Sequence, residues 1–229
     1  MLVYDRLVSA ELVAEAPADA LRIAREPLSQ EGINELLVAY GRAGLEVVRL
    51  KGGDSFVFGR GGEEALALAE AGVPFDVVPG VSSISAVPAA AGIPVTHRGI
   101  AAQVTIAAGH EPERLDYPAL VRAPGTLVLF MGFAGLEKIA CGLISAGKSP
   151  DTPAAVISNG TLPGQEVVTG ALGEIVGRAA GLEQPALVVV GEVVRVGERL
   201  ARTGLQRLAG EQALDAAHAP VGLAVLGQD

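Results

Sequence analysis

Residues 47–64, VVRLKGGDSFVFGRGGEE, decide the fold of the first part of the chain. The stretch begins with aliphatic residues typical of a strand buried on both faces. It ends in two glutamates, which favour the first turn of a helix. Between the two lie Gly52, Gly53 and Asp54, where little side-chain bulk covers the backbone. A strand, a glycine turn and a helix in this order indicate a parallel α/β sheet.

The glycine turn allows two interpretations, a ligand loop or a purely structural turn. Ligands of open α/β sheets bind outside the carboxyl ends of the strands, and Gly52 and Gly53 lie at such an end. Asp54 is suited either to accept hydrogen bonds from a ligand or to cap the turn. The following FVFGRGG offers apolar walls and a fixed cation, which favours the ligand loop.

Strand and helix patterns alternate outward from this stretch. Helical periodicity over 31–43 precedes it, and helix 61–72 is followed by a predicted strand over 74–80 and a small-residue helix over 81–92. A second series of strands and helices runs from residue 102 to residue 194. We therefore predict an α/β protein with largely parallel sheets, an N-terminal lobe over 1–98, a C-terminal lobe over 99–200 and a peripheral tail over 201–229.

Composition argues against several classes of protein. The 229 residues are 50% hydrophobic but only 3% aromatic, and the net charge of −9 without a basic run argues against nucleic-acid binding. The single cysteine, Cys141, and three widely separated histidines give neither a disulfide framework nor metal-ligand spacing. No apolar run approaches the roughly 20 residues that span a bilayer, and the start lacks a secretory pattern. We expect a cytoplasmic protein without a metal and without a nucleic-acid or membrane partner.

Two short motifs are formal matches only. GLISAGKS (142–149) fits the phosphate-loop pattern, but the residues before it have helical periodicity and Pro150 follows Ser149 directly. Gly147 is better interpreted as a helix C-cap. NGT (159–161) fits a glycosylation acceptor but is more typical of a turn in a chain without a secretion signal.

Seven segments in order carry a resemblance to a known family: YDRLVS (4–9), residues 47–64, VPFDVVPGVSS (73–83), AGIPVTHRG (91–99), FMG (130–132), NGT (159–161) and PALVVVGEVV (185–194). Over roughly residues 3–195 the chain resembles the uroporphyrinogen-III C-methyltransferases of the tetrapyrrole methyltransferase superfamily. The stretch RLKGGD…FVFGRGGEE is the specific part, because related precorrin methyltransferases and diphthine synthases generally lack the FGRGG continuation.

The resemblance implies two α/β lobes with the active site in the cleft between them, a homodimer, and S-adenosylmethionine as methyl donor. It further implies methylation of uroporphyrinogen III at C2 and then C7, which gives precorrin-2 for sirohaem and cobalamin. The positions that match the family's cofactor contacts are Gly52, Gly53, Asp54, Val57, Ser82, Ser83, Met131, Gly160 and Ala186.

A sulfonium methyl donor already carries a good leaving group, so such an enzyme mainly aligns the reacting atoms. A base must later remove a proton from the methylated macrocycle, and the resemblance implies Asp5 as that base. The substrate carries several carboxylates, which arginine forks bind well. Its expected ligands are Arg6, Lys51, Arg60, His97 and Arg98, with Arg49 as a further cation near the motifs.

The chain departs from the family pattern in three places. The family opens with a strand and a Gly-x-Gly-Pro-Gly-Asp-Pro loop before YDRLV, whereas Tyr4 here closely follows Met1. We expect either a misassigned start or a first sheet that lacks an inner strand and leaves edges exposed. Residues 21–34 contain no counterpart of the family's proposed lysine proton donor, and Ser55 replaces the usual proline after GGD.

Two other interpretations stay open at the level of sequence. Another precorrin C-methyltransferase would share the Gly-Asp turn, and the missing glycine loop would suit a non-catalytic tetrapyrrole-binding homologue.

Overall fold

The computed structural model of the chain describes residues 1–204 and 224–225. These residues form two compact units, one of residues 1–82 with the strand at 224–225 and the other of residues 83–204. Each unit has its own sheet and its own aliphatic core. The division falls earlier than the predicted boundary after residue 98, because Val87, Ala91 and Ile93 pack into a core cluster of the second unit.

The first unit contains a sheet in the order β2-β1-β3-β9. β1 pairs in parallel with both β2 and β3, whereas β9 pairs antiparallel with β3. Helices α1 and α2 follow β1 and β2, and α3 follows β3. The bounds are β1 Leu2–Tyr4, α1 Ala10–Ala14, β2 Arg22–Ala24, α2 Gln30–Arg42, β3 Val47–Leu50, α3 Gly61–Glu70 and β9 Ala224–Val225.

Helix α2 forms as its sequence predicts. Ser29 caps its start, since the Ser29 hydroxyl accepts a hydrogen bond from the amide of Gly32 at 3.1 Å. Ile33 and Leu37, one turn apart, are fully buried against Val3 of β1 and Val47 of β3. This aliphatic contact holds the helix on the sheet.

The second unit contains a mixed sheet in the order β4-β5-β8-β6-β7. Only β4 and β5 pair in parallel among its described strands, because β8 runs antiparallel to both β5 and β6 and a short loop folds β7 back on β6. The prediction of largely parallel sheets is therefore wrong for this unit. The bounds are α4 Ser83–Ala90, β4 Val104–Ala108, α5 Tyr117–Arg122, β5 Thr126–Phe130, α6 Leu136–Ser145, β6 Pro153–Ser158, β7 Glu166–Ala171, α7 Ile175–Arg178, β8 Ala186–Val190 and α8 Val194–Arg202.

The end of α6 settles the phosphate-loop pattern. Gly147 has φ +106°, its amide donates to the carbonyl of Ile144 at 2.9 Å, and the amide of Lys148 donates to the carbonyl of Leu143 at 2.9 Å. These bonds are those of a helix C-cap. GLISAGKS therefore lies at the end of a helix rather than between a strand and a helix, and the interpretation as a cap is confirmed.

Two other predictions differ from the structure or lie largely outside it. The prediction of a strand over 74–80 is wrong, because these residues form a loop with a single bridge residue at Asp76. The predicted tail over 201–229 lies mostly outside the described residues, although Ala201 and Arg202 end α8 and β9 pairs with the edge of β3. Across the described ranges, no helix is long and apolar enough to cross a membrane.

Candidate active site

The carboxyl ends of β1 and β3 meet at one edge of the first sheet. Tyr4 and Leu50 are partners in the parallel register, and the amide of Asp5 donates to the carbonyl of Leu50 at 3.2 Å. Asp5 and Lys51 therefore leave the sheet side by side although 46 positions separate them in the sequence (51 − 5). This edge is where an open α/β sheet binds its ligand.

The glycine turn that follows β3 is braced from within. Gly53 has φ +73°, a conformation that glycine adopts without steric cost. The Asp54 carboxylate accepts one hydrogen bond from the amide of Phe56 at 2.8 Å and another from the amide of Gly80 at 3.1 Å. Asp54 thus caps the turn and ties it to Gly80, which is the structural role that the sequence allows for its side chain.

Gly80 and Gly52 are glycines for different reasons. A Cβ atom at Gly80 would lie 2.2 Å from the carbonyl oxygen of Gly53, so the two loops touch only because Gly80 has no side chain. A Cβ atom at Gly52 would find its nearest atoms, both of Leu7, at 3.8 Å. Gly52 is exposed, and a Cβ there would be in ordinary van der Waals contact with Leu7. A ligand can reach the main chain there, which fits a bound cofactor.

Beneath this edge lies a cluster of buried charges, formed by Asp5, Arg49, Lys51 and Glu64. The Arg49 guanidinium donates to Glu64 Oε1 at 3.1 Å and to Asp5 Oδ1. The Lys51 ammonium lies 3.0 Å from Glu64 Oε1 and 3.7 Å from Asp5 Oδ2. The side chains of Arg49 and Glu64 are fully buried and that of Lys51 is 3% exposed, whereas that of Asp5 is 27% exposed. Asp5 is therefore the one member of this cluster that a ligand can reach.

Burial is the main cause that lowers the pKa of Lys51, and the charge of Arg49 lowers it further. The carboxylates of Glu64 and Asp5 act in the opposite direction. The sequence predicts Lys51 as a ligand for substrate carboxylates, and Arg49 as a further cation. The structure instead buries both and pairs them with carboxylates of the chain itself.

The remaining predicted residues of the first unit line its surface. Arg60 is the N-cap residue directly before α3 and forms an exposed ion pair with Glu63, in which the hydrogen bond from Arg60 lowers the pKa of Glu63. Arg60 also borders an open groove of about 570 Å³, whose apolar wall includes Phe56, Leu66 and Phe75. Arg6 is exposed beside Asp5, and Val57 is half-buried.

In the second unit, three predicted cofactor contacts lie at one edge of the sheet. Met131 follows β5 and Gly160 follows β6, while Ala186 starts the antiparallel strand β8 opposite Ser158. Met131 has φ +54° and is 48% exposed, and Asn159, beside Gly160, has φ +48°. Asparagine adopts this left-handed conformation readily, whereas at a residue such as Met131 it is of the kind that concentrates at functional sites. The topology therefore brings these three positions together within their own unit.

The other predicted residues are more dispersed. Ser82 precedes α4 and Ser83 begins it. His97 and Arg98 are exposed in a tight turn, where the amides and carbonyls of His97 and Ala101 bond to each other at 2.9 Å and His97 Nδ1 lies 2.9 Å from the Arg98 carbonyl oxygen. No group of three or more His, Cys, Asp or Glu side chains suited to a metal ion occurs in the part of the chain that the structure describes.

Replacing Gly160 with Ala is expected to destabilise the chain by about 1–3 kcal/mol. The added Cβ would lie 2.4 Å from Val87 Cγ1, so the backbone or Val87 would have to move. Urea unfolding measures this loss, and Gly177→Ala is the matched control because a Cβ there meets no atom within 4 Å. Gly160→Ala should destabilise the chain less when Val87→Ala is already present than it does in the wild-type background. Equal stability of Gly160→Ala and wild type would contradict this packing.

Sequence reasoning missed three residues that build the site. Glu64 is one of two adjacent glutamates, and the pattern alone does not distinguish the buried one from the exposed Glu63. Gln30 donates to Glu64 Oε1 at 3.2 Å, and Gly80 braces the turn. One signal was available, since Arg49 and Lys51 alternate with Val48 and Leu50 and so point to one face of β3.

The fold and this edge together define a class of protein. A glycine turn with exposed backbone, braced at the carboxyl edge of a parallel sheet and set beside a partly exposed ion-paired carboxylate, is typical of a ligand-binding α/β protein. Residues 2–176 match the family described as Tetrapyrrole (Corrin/Porphyrin) Methylases, and the chain belongs to this family.

Known proteins place the chain more closely within the family. It is 46% identical over 211 residues to the siroheme synthase of Acinetobacter baylyi, a match that covers 87% of this chain and 46% of the relative. The chain thus spans about half the length of the curated relatives that it matches. Two crystal structures of uroporphyrin-III C-methyltransferase from Thermus thermophilus are similar to it. One has a TM-score of 0.75 at 42% identity and covers 87% of this chain and 85% of the other. The second, a complex with S-adenyl homocysteine, has a TM-score of 0.73 at 39% identity and covers 85% and 86%.

These findings confirm the family resemblance and the α/β fold class inferred from the sequence.

Proposed function

We propose that the chain is an S-adenosylmethionine-dependent C-methyltransferase that converts uroporphyrinogen III into precorrin-2, by methylation at C2 and C7, in sirohaem and cobalamin biosynthesis. The observation that carries the proposal is the exposed backbone of Gly52, on a turn braced by Asp54, next to the partly exposed carboxylate of Asp5. Similarity to siroheme synthases and to the methyltransferase structure with S-adenyl homocysteine supports it.

The residues of the first unit fit the methionine-like part of the cofactor. Gly52, Gly53 and Asp54 shape the turn that receives it, and Val57 follows in the same loop. Asp54 fixes the shape of the turn, because each of its oxygens accepts a hydrogen bond from an amide of the chain. Ser82, Ser83, Met131, Gly160 and Ala186 are the further cofactor contacts of the proposal.

When bound, S-adenosylmethionine supplies a methyl group on a sulfonium centre. The turn at Gly52, Gly53 and Asp54 would hold this donor. Its methyl group would pass to an electron-rich pyrrole carbon of the substrate, and its sulfur would leave as a neutral thioether. The chain's task is to hold the reacting atoms in line. Asp5 then accepts the proton that the methylated macrocycle loses, a role that suits a partly exposed carboxylate held in place by Arg49 and Lys51.

Exposed cations suit the carboxylates of the substrate. Arg6 and Arg60 lie on the surface of the first unit, and Arg60 borders the groove with Phe56. Arginine binds carboxylates through a planar fork, and the aromatic wall offers an apolar face to a macrocycle. His97 and Arg98 are the substrate ligands of the second unit in this proposal. The proposal also includes assembly as a homodimer and a cytoplasmic location.

Replacing Gly52 with Ala is expected to weaken S-adenosylmethionine binding about 10-fold to 100-fold, the equivalent of about 1–3 kcal/mol of overlap with the ligand. The fold should not change, because the new Cβ meets no protein atom closer than 3.8 Å. Titration calorimetry with S-adenosylhomocysteine measures the affinity, and Gly177→Ala in the second unit is the control. Wild-type affinity in Gly52→Ala would remove this turn from the cofactor site.

Turnover tests the proposed substrate. Purified chain, S-adenosylmethionine and uroporphyrinogen III are incubated without oxygen, and the products are separated by chromatography with mass detection. We expect a singly methylated product that is converted into a doubly methylated one. Methylation of a different precorrin, with uroporphyrinogen III left unchanged, would point to another member of the family.

A further inference from the structure

Glu64 is a charged residue without contact with solvent, and the reaction proposed above does not use it. It lies in the first turn of α3, and its side chain is fully buried. Its carboxylate accepts hydrogen bonds from Arg49 Nε at 3.1 Å, from Lys51 Nζ at 3.0 Å and 3.3 Å, and from Gln30 Nε2 at 3.2 Å. A carboxylate taken out of water in this way must be paired and hydrogen-bonded to be tolerated.

The two cations that bind Glu64 also reach Asp5. Arg49 donates through Nε to Glu64 and through Nη2 to Asp5, so one guanidinium joins the two carboxylates. Lys51 likewise stands between Glu64 Oε1 and Asp5 Oδ2. Burial decreases from Glu64 to Asp5, which alone of the four is substantially exposed. The orientation of the partly exposed carboxylate is therefore fixed from below by groups that are themselves buried.

A purely structural role is the simpler explanation to exclude. Buried ion clusters are often no more stabilising than apolar side chains of similar volume. A cluster that only fills space would not affect the chemistry at Asp5 once the protein is folded. A cluster that positions Asp5 would change turnover and its dependence on pH.

We propose that Glu64 and Lys51 are a positioning pair for the reaction: Glu64 fixes the ammonium group of Lys51 beside Asp5, and the charge on Lys51 holds Asp5 in its working orientation. This inference rests on the proposed role of Asp5 as the base. Of the two cations, Lys51 is the one that can lose its proton, because the guanidinium group of an arginine stays charged at any accessible pH.

The direction of the pH effect follows from the charges around Lys51, which are those of Arg49, Glu64 and Asp5. Burial and Arg49 lower the pKa of Lys51, and Glu64 raises it. Glu64 therefore keeps Lys51 protonated up to a higher pH than burial alone would permit. Removing the negative charge of Glu64 lets Lys51 lose its proton at a lower pH.

The test compares the dependence of kcat on pH in wild type, Glu64→Gln and Lys51→Arg, with Glu70→Gln as control. Glu70 lies exposed on the same helix α3, so it undergoes the same chemical change outside the cluster. In Glu64→Gln we expect kcat to fall about 10-fold to 100-fold through misplacement of Asp5. The fall of kcat at high pH, the alkaline limb of the profile, should begin at a lower pH in Glu64→Gln than in wild type. The KM for S-adenosylmethionine should be unchanged. In Lys51→Arg the alkaline limb due to Lys51 should disappear, and Glu70→Gln should match wild type.

The outcomes separate this inference from the proposed function. If Asp5→Asn is inactive but the alkaline limb is the same in wild type, Glu64→Gln and Lys51→Arg, the positioning role is overturned and the proposed function stands. If Asp5→Asn retains wild-type turnover, the proposed base is wrong and the inference falls with it. Should Glu64→Gln fail to fold, Lys51→Arg decides alone: an alkaline limb that persists in it overturns the proposal.

Discussion

Replacing Arg49 with Met is expected to lower the free energy of unfolding by about 3–5 kcal/mol, the usual cost of removing one partner from a buried ion pair. Arg49 is fully buried and bonds to Glu64, to Asp5 and to the carbonyls of Val3 and Leu50. Without it, two carboxylates share the single charge of Lys51. Urea unfolding followed by circular dichroism measures the loss.

Two further variants separate this cost from the loss of side-chain volume. Arg6→Met removes an exposed arginine from the same unit and should change stability by no more than about 0.5 kcal/mol. Adding Glu64→Leu to Arg49→Met removes a charge of each sign and should recover part of the lost stability. If Arg49→Met unfolded at the same urea concentration as wild type, the charge cluster would not be a structural feature of the folded chain.

Replacing Asp5 with Asn should lower turnover by at least about 100-fold, because it removes the group proposed to take the proton. The affinity for S-adenosylmethionine should stay as in wild type. The glycine turn is braced by Asp54 and Gly80, and Asp5 takes no part in that bracing. Turnover is measured with uroporphyrinogen III, and binding is measured by calorimetry.

The matched control is Asp19→Asn, an exposed aspartate of the same unit. It should leave turnover and binding unchanged. An Asp5→Asn variant that is folded, binds S-adenosylmethionine and turns over within about twofold of wild type would show that the proton leaves by another route. Loss of cofactor binding in the same variant would instead place Asp5 in the binding site.

The local elements of the fold could be predicted well from the sequence. The apolar spacing of Ile33 and Leu37 gives helix α2, and the run that ends at Leu50 gives β3. The glycine turn follows where the apolar run stops, as predicted. The prediction of a strand over 74–80 failed for two reasons. Pro74 and Pro79 flank its apolar residues, and Gly80 contacts the glycine turn. The segment therefore braces that turn instead of joining a sheet.

The ion cluster could not be predicted from local pattern. Its members come from β1, β3 and α3, and only the parallel pairing of β1 with β3 sets Asp5 beside Lys51. In the sequence, where their partners are not visible, the cations Arg49 and Lys51 suggest a binding surface. Their burial depends on which glutamate of the GGEE pair faces inward, and that is a matter of packing between helix and sheet.

Transfer of a labelled methyl group from S-adenosylmethionine to uroporphyrinogen III is the most direct test of the proposed function. The full chain is incubated with methyl-labelled donor and substrate without oxygen, beside Asp5→Asn and Asp19→Asn. The proposal predicts label at C2 and C7 of the macrocycle with wild type and Asp19→Asn, and almost none with Asp5→Asn. An unlabelled macrocycle, from a folded wild-type chain that binds both S-adenosylmethionine and uroporphyrinogen III, would contradict it and indicate a protein that binds tetrapyrrole without methylating it.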